Sequence, residues 1–163
     1  MILLRHPPAE IIAHDTPGAF SALMDLYERN YINLRRLLPV MPPASTARIS
    51  RVPESLDLHL RVIERCRYTS ELILTYEFGR DQKAVSAEPN LRIRIYHDAR
   101  LAEVLAAHPR RHPTFSTDRF SNPAQIEIPP LLARWRINRF LFKWLTYCLR
   151  QGHRFTEHSG GSL

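Results

Sequence analysis

Residues 91–104 read LRIRIYHDARLAEV, and this segment gives the clearest indication of the architecture. Apolar and polar side chains alternate up to Tyr96, which is typical of a strand with one buried face. The four residues His97–Arg100 then predict a hairpin loop, after which a second strand begins at Leu101. In the resulting register Tyr96 pairs with Leu101 and Arg94 lies opposite Glu103, a cross-strand ion pair that would help to set the register.

The same alternation of apolar and polar residues recurs on both sides of this segment. It is clear in residues 56–62 and 72–78, and weaker strands are expected at 48–52 and 101–106. The hairpin register also places Ile93 opposite Val104 on the core face of the sheet. Because the connections are short, an antiparallel meander is favoured over parallel crossovers. The sequence therefore predicts a four- or five-stranded antiparallel sheet.

A helix is predicted on each side of this sheet in the sequence. The first begins at Thr16-Pro17, an N-cap followed by proline, and ends near Leu38. Its apolar residues recur at helical spacing, at Phe20, Leu23, Met24, Tyr27, Tyr31, Leu34 and Leu38. The second is a long C-terminal helix from about Leu131 to Gln151, with Gly152 at the C′ position. The fold class is therefore α+β, with the long helix packed on the sheet.

The length of 163 residues is typical of one domain. We expect a single α+β domain over residues 16–153, a flexible N-terminal arm over 1–15 and a disordered tail over 154–163. Residues 108–130 contain five prolines, and we expect an extended connection there with at most a short strand near 114–120.

Several functional classes are excluded by the sequence. The five glycines do not form G-x-G-x-x-G or a P-loop, so no glycine-rich phosphate cradle is present. The N-terminal apolar run is too short for a secretory signal, and no segment is apolar enough to span a membrane. Cys66 and Cys148 are expected to be free thiols. These features predict a cytoplasmic protein without a cofactor and without membrane association.

Positive charge is concentrated in the C-terminal helix. The chain carries a formal net charge of +7, and residues 131–154 contain six cations and no Asp or Glu. Four of these cations fall in one strip of the helix: Arg136, Arg139, Lys143 and Arg150. Such a strip can bind RNA, DNA, a phosphorylated ligand or an acidic protein patch, and the flanking aromatic residues could stack on bases. Alternatively the strip keeps the outer face soluble, or carboxylates elsewhere neutralise it.

Histidines give two further candidate sites. Tyr96-His97-Asp98 places a histidine next to a carboxylate, which can orient the ring and make it a better base. A structural turn is the alternative, since Asp is common at hairpin corners. His108 and His112 are four residues apart, but two prolines disfavour the helix on which this spacing would bind a metal. We expect no metal site.

Three segments together resemble the YqiB-like family of small bacterial proteins, a domain of unknown function. They are YERNYINLRRLLP (27–39), LRIRIYHDARLAEV (91–104) and INRFLFKWLTYCL (137–149) followed by Gly152. The resemblance covers about residues 20–153. It implies no established activity, although it hints at nucleotide-related metabolism. It marks eight polar family-pattern positions: Asn30, Asn33, Arg35, Arg36, Tyr96, His97, Asp98 and Asn138.

Two functional hypotheses follow. The first is a non-enzymatic binding or accessory protein that engages an anionic partner, nucleic acid or acidic protein, through Arg136, Arg139, Lys143 and Arg150. The second is a small enzyme or nucleotide-related ligand-binding protein. Its site would group five residues: Arg35, Arg36, His97, Asp98 and Asn138. Convergence of these five side chains on one concave pocket would favour the second hypothesis. No catalytic residue and no oligomeric state are assigned.

Overall fold

The computed structural model describes residues 17–77, 89–107 and 130–157, and it shows the predicted α+β architecture. Five antiparallel strands form one sheet in the order β1-β2-β3-β4-β5, so the meander is confirmed. One helix precedes the sheet and the other follows it. The elements are α1 (Pro17–Leu37), β1 (Ala47–Ser50), β2 (Asp57–Arg65), β3 (Thr69–Glu77), β4 (Asn90–Tyr96), β5 (Leu101–Ala107) and α2 (Pro130–Gln151).

The register of the β4–β5 hairpin is confirmed. Tyr96 pairs with Leu101, Arg94 with Glu103 and Ile93 with Val104. The expected ion pair between Arg94 and Glu103 is nevertheless absent, because Arg94 Nε donates to Glu71 Oε1 on the neighbouring strand at 3.0 Å. Glu103 instead accepts a hydrogen bond of 2.6 Å from the Tyr96 hydroxyl. The alternating pattern thus determined how β4 pairs with β5, whereas the carboxylate that Arg94 contacts was determined by β3.

Glu71 is a buried carboxylate on the outer face of the sheet. It is only 4% exposed, and Arg92 and Arg94 each donate two hydrogen bonds to it. Both guanidinium groups hold the pKa of Glu71 below its ordinary value. The three side chains therefore tie β3 to β4 away from the helices.

The hydrophobic core lies between the other face of the sheet and the two helices. It is built from alternate strand residues, as the period of two requires. The buried apolar strand residues are Leu58, Leu60, Val62, Leu72, Leu74, Tyr76, Leu91, Ile93, Ile95 and Ala102. From the helices, Leu34, Leu141 and Leu145 are almost fully buried in the same cluster. The sheet and both helices therefore contribute to this cluster, and a second cluster packs Leu23, Leu26 and Tyr27 of α1 against Trp135 of α2.

The end of α2 has the geometry of a Schellman motif. Gly152 adopts a φ of 93°, which only glycine accepts without strain. Its N–H donates to the Leu149 carbonyl at 3.1 Å, and the N–H of His153 donates to the Cys148 carbonyl at 3.0 Å. The predicted role of Gly152 is confirmed, and the motif turns the chain back towards α1.

The segment after α2 continues the packed structure. Phe155 was placed in the tail by the sequence analysis, yet it is only 2% exposed and belongs to the core. Its N–H donates to the Leu37 carbonyl at the end of α1 at 2.8 Å. The physical reason is the Schellman turn, which directs residues 153–157 against the helix end. The predicted N-terminal arm, the connection 108–129 and residues 158–163 lie outside the described residues.

None of the helices in the described ranges combines the length and hydropathy needed to cross a membrane.

Candidate anion-binding site

A cavity of about 640 Å³ opens at one end of the sheet. An antiparallel meander brings the β2–β3 turn and the β4–β5 turn to the same end of the sheet, and the segment after α1 covers them. The His97 N–H joins the two turns by donating to the Tyr68 carbonyl at 2.8 Å. The cavity is lined by Arg35, Pro39, Val40, Met41, Arg65, Cys66, Arg67 and His97.

Three guanidinium groups of the described residues line this cavity, and none of the lining residues in the described ranges is acidic. Arg35 Nη2 donates to the Pro39 carbonyl at 2.9 Å, which anchors the side chain at the end of α1. Arg65 and Arg67 are exposed, and neither pairs with a carboxylate of the described residues. Arg67 lies over the ring of Tyr68 at 5.2 Å. The positive charges of the described lining residues therefore outnumber the nearby negative charges, which come from Glu64 and Asp98.

His97 forms the wall opposite the arginine of α1. Its Nε2 lies 2.8 Å from the hydroxyl of Ser70, a residue that is 1% exposed. Burial lowers the pKa of His97, the positive charges of Arg35 and Arg65 lower it further, and Asp98 opposes them. The imidazole is therefore neutral at pH 7, and its charge state depends on the arginines around the cavity.

Cys66 lies between the two arginines of the β2–β3 turn, but its thiol is not activated. The Sγ donates a hydrogen bond of 3.3 Å to Glu64 Oε1, and this bond raises the pKa of the thiol. The other cysteine, Cys148, is buried, and burial raises its pKa to about 11. Both thiols are therefore protonated at neutral pH.

A second cavity of about 290 Å³ adjoins the first and shares Val40, Met41 and Arg65 with it. Its other walls are Arg48 of β1, apolar residues of the segment after α1, and the chain after α2. They are Leu38, Pro42, Pro43, Arg48, Phe155, Thr156 and Glu157. The shared residues make one elongated depression, with cations at one end and mainly apolar walls at the other.

The structure brings together two of the five residues in the predicted alternative site. Arg35 and His97 line the first cavity, whereas Arg36 and Asp98 are exposed and do not line it. Asn138 lies elsewhere, fully buried in α2. The sequence analysis did not select Arg65 and Arg67. The available signal was the Arg-Cys-Arg segment between two predicted strands, because alternate turns of a meander lie at the same end of the sheet.

Asn138 has a structural role at the edge of the sheet. Its Oδ1 accepts a hydrogen bond of 2.9 Å from the Val104 N–H on β5, the last strand of the sheet. Its Nδ2 donates to the Arg134 carbonyl at 2.8 Å, and its own carbonyl accepts from Asn30 Nδ2 at 3.1 Å. Two family-pattern residues, Asn30 and Asn138, thus join α1, α2 and β5 in a buried polar network.

His153 forms a second buried histidine cluster. Its Nδ1 lies 2.9 Å from the Ser50 hydroxyl and its Nε2 lies 3.3 Å from the Ser55 hydroxyl. Burial lowers the pKa of His153, so the ring is neutral at pH 7. With both nitrogens partnered, this histidine fixes the β1–β2 loop against the chain that follows α2. No group of three or more potential metal-ligating residues occurs in the described part of the chain.

The predicted basic strip of α2 lies on the side of the helix away from the core. Arg136, Lys143 and Arg150 are exposed, and Arg139 is half-buried. The opposite face packs into the core through Leu141, Leu145 and Cys148.

Comparisons with known proteins agree with the resemblance seen in the sequence. Residues 33–154 match the family model described as "Protein of unknown function (DUF1249)". The chain is 32% identical over 138 residues to "Uncharacterized protein YqiB" of Escherichia coli strain K12, covering 82% of this chain and 90% of that protein. Proteins of the same name from the O6:H1 and O157:H7 strains match at the same identity and coverage. No solved structure matches the chain.

Proposed function

The chain belongs to the DUF1249 family of proteins of unknown function, and we propose that it binds an anionic ligand in the cavity at the end of the sheet. One observation carries this proposal: three arginines, Arg35, Arg65 and Arg67, line one cavity in which none of the described lining residues is acidic. Proteins usually pair positive side chains with carboxylates or keep them apart on the surface, because like charges at close range repel. A concave cluster of this kind is stabilised when an anion enters it.

The guanidinium groups specify the chemical class of the ligand. Arginine presents a planar set of donors that matches phosphate or carboxylate oxygens in bidentate fashion. Pro39, Val40 and Met41 form an apolar wall beside the cations, and Val40 and Met41 also line the second cavity. This combination favours an organic molecule with a phosphate or carboxylate at one end and a less polar part at the other.

Binding fits these side chains better than covalent catalysis does. The Cys66 thiol donates a hydrogen bond to Glu64, and this bond raises the pKa of the thiol. The nucleophilic thiolate is therefore disfavoured. His97 is engaged with the Ser70 hydroxyl through Nε2. Both side chains line the cavity without being activated for catalysis. Ligand binding is therefore the function that the geometry supports best.

Replacing both Arg65 and Arg67 by alanine is expected to weaken anion binding strongly. Charge-assisted hydrogen bonds contribute about 1.5–3 kcal/mol each, so the double variant should lose at least about tenfold in affinity per arginine. Isothermal titration calorimetry with inorganic phosphate, tripolyphosphate and citrate measures the effect and separates phosphate from carboxylate recognition. Both arginines are exposed, so the free energy of unfolding should change little.

Two exposed arginines serve as matched controls. Arg61 lies on the same strand as Arg65 and Arg36 lies next to Arg35, but neither lines the cavity. Alanine at these positions should leave the affinity within about twofold, since only screened long-range charge is lost. Equal losses in the control and cavity variants, or no anion binding by the wild-type protein at low salt, would contradict the proposal.

Anion binding is also expected to be linked to protonation of His97. The positive charges of Arg35 and Arg65 lower the pKa of the free imidazole, and a bound anion offsets them, so the pKa rises in the complex. Above the pKa of the complex, affinity is independent of pH. Between the pKa of the free protein and that of the complex, the complex takes up a proton that the free protein does not bind, so affinity rises as the pH falls; below both pKa values it is again independent of pH.

Calorimetry in two buffers of different ionisation enthalpy measures this proton uptake directly. Near pH 6.5, the ordinary pKa of histidine, we expect net uptake on binding by the wild-type protein. The variant His97→Gln should bind with an affinity that varies less with pH. A pH dependence that is identical in the two proteins would show that His97 does not face the bound anion.

A further inference from the structure

The outer face of α2 alternates positive and aromatic side chains in a regular pattern. Its exposed residues, which we call the α2 stripe, are Arg136, Phe140, Lys143, Tyr147 and Arg150. They are spaced by four, three, four and three residues, so they lie on one line along the helix. At about 1.5 Å per residue the stripe is about 21 Å long. It is separate from the cavity, because none of its residues lines either cavity.

The two aromatic rings of the stripe are exposed but held in place. Phe140 is 39% exposed and Tyr147 is 51% exposed. The Phe140 ring lies 6.3 Å from Trp144, and the Tyr147 ring makes an edge contact with Tyr76 at 6.4 Å. Trp144 and Tyr76 are core residues. Each exposed ring is thus positioned by a buried one, which is the arrangement of a stacking platform.

The positive charges of the stripe have no compensation among the described residues. Residues 131–154 contain no Asp or Glu, so no acidic residue of α2 can pair with them. The ion pairs of the described residues join Asp25, Asp57 and Glu71 to arginines outside α2. Arg136, Lys143 and Arg150 therefore present a row of three charges with two rings between them.

We propose that the α2 stripe binds single-stranded nucleic acid. Arg136, Lys143 and Arg150 would contact phosphates, while bases stack on Phe140 and Tyr147. Stacking on aromatic side chains combined with a basic track is the general way in which proteins hold single strands without sequence preference. The length of the stripe suits several nucleotides, since stacked bases rise by about 3.4 Å.

The chemistry of the stripe favours a single strand over other polyanions. In a duplex the bases are already stacked, and helices that enter a groove read base edges with polar side chains rather than with Phe and Tyr. An acidic protein helix would have to bury carboxylates along its seam with α2, which carries a desolvation cost. A second copy of α2 would place like charges opposite one another. A single strand keeps its phosphates hydrated and offers free base faces.

Fluorescence anisotropy with a short fluorescein-labelled oligouridylate tests this proposal on the full chain. At about 50 mM salt we expect binding whose log–log salt dependence has a slope of about −2, since three phosphate contacts contribute about −0.7 each. The triple variant Arg136→Gln, Lys143→Gln, Arg150→Gln should lose most of the affinity and the slope. Each of Phe140→Ala and Tyr147→Ala should weaken binding by about tenfold with an unchanged slope.

A charge-matched control distinguishes the stripe from general positive charge. Gln at Arg36, Arg61 and Arg100, three exposed arginines outside α2, removes the same charge and should leave binding within about twofold. The proposal is overturned if the control variant loses as much as the stripe variant. It is also overturned if the aromatic variants bind like wild type, if duplex RNA or polyglutamate binds as tightly as the single strand, or if the oligouridylate does not bind.

Discussion

Replacing Phe155 by alanine is expected to lower the free energy of unfolding by about 3–5 kcal/mol, the usual cost of truncating a buried phenylalanine to alanine. Phe155 is only 2% exposed and belongs to the main core cluster. Its backbone N–H also donates a hydrogen bond of 2.8 Å to the Leu37 carbonyl. The ring therefore packs in the core beside the C-terminal end of α1, and its deletion leaves a cavity there.

Urea denaturation followed by circular dichroism measures this loss, with Glu157→Ala as the matched control. Glu157 lies two residues further on, is exposed, and should change the free energy of unfolding by less than about 0.5 kcal/mol. A similar small change in both variants would show that the chain after α2 does not contribute to the core. Such a result would restore residue 153 as the end of the packed domain.

The second large effect is expected for Asn138→Ala, which should lower the free energy of unfolding by about 2–4 kcal/mol. The substitution leaves the Val104 N–H without its acceptor, and an unpaired buried donor costs about 1–3 kcal/mol. It also removes the hydrogen bond to the Arg134 carbonyl and the packing of a side chain that is fully buried. The last strand of the sheet then has an open edge beneath α2.

The matched control is Asn33→Ala, another asparagine at a family-pattern position. Its Nδ2 is 3.5 Å from the Thr146 hydroxyl, a long hydrogen bond that should contribute less than about 1 kcal/mol. Amide hydrogen exchange separates edge protection from general destabilisation: in Asn138→Ala, the Val104 amide should lose more protection than the neighbouring strand amides. If the two variants lose equal stability, or Val104 stays protected, the interaction at the edge of the sheet is not the source of the effect.

The sequence predicted the fold because its local patterns all agreed. Alternation in residues 91–104 determined the pairing of Tyr96 with Leu101, and Gly152 determined how α2 ends. Side chains repeat every two residues in a strand and every 3.6 residues in a helix, and glycine accepts a positive φ. These signals can be read from residues close together in the sequence. The family resemblance likewise marked positions, but it did not distinguish residues that hold the fold from residues that could bind a ligand.

That distinction appeared when the elements were packed together. Asn138 and His97 stand in equivalent family-pattern segments, yet one bridges α2 to an open strand edge and the other lines a basic cavity. Arg94 stands opposite Glu103 in the hairpin and bonds to Glu71 because the third strand brings that carboxylate closer.

Local patterning in the sequence was therefore enough to define the helices, the meander and its register, as well as the positive charge of α2. The tertiary structure alone grouped Arg35, Arg65, Arg67 and His97 around one cavity and placed Phe155 in the core. The physical reason is that hydrogen-bonding periods are local, whereas the partner of a charge or an aromatic ring depends on residues that are distant in the chain and become neighbours only after folding.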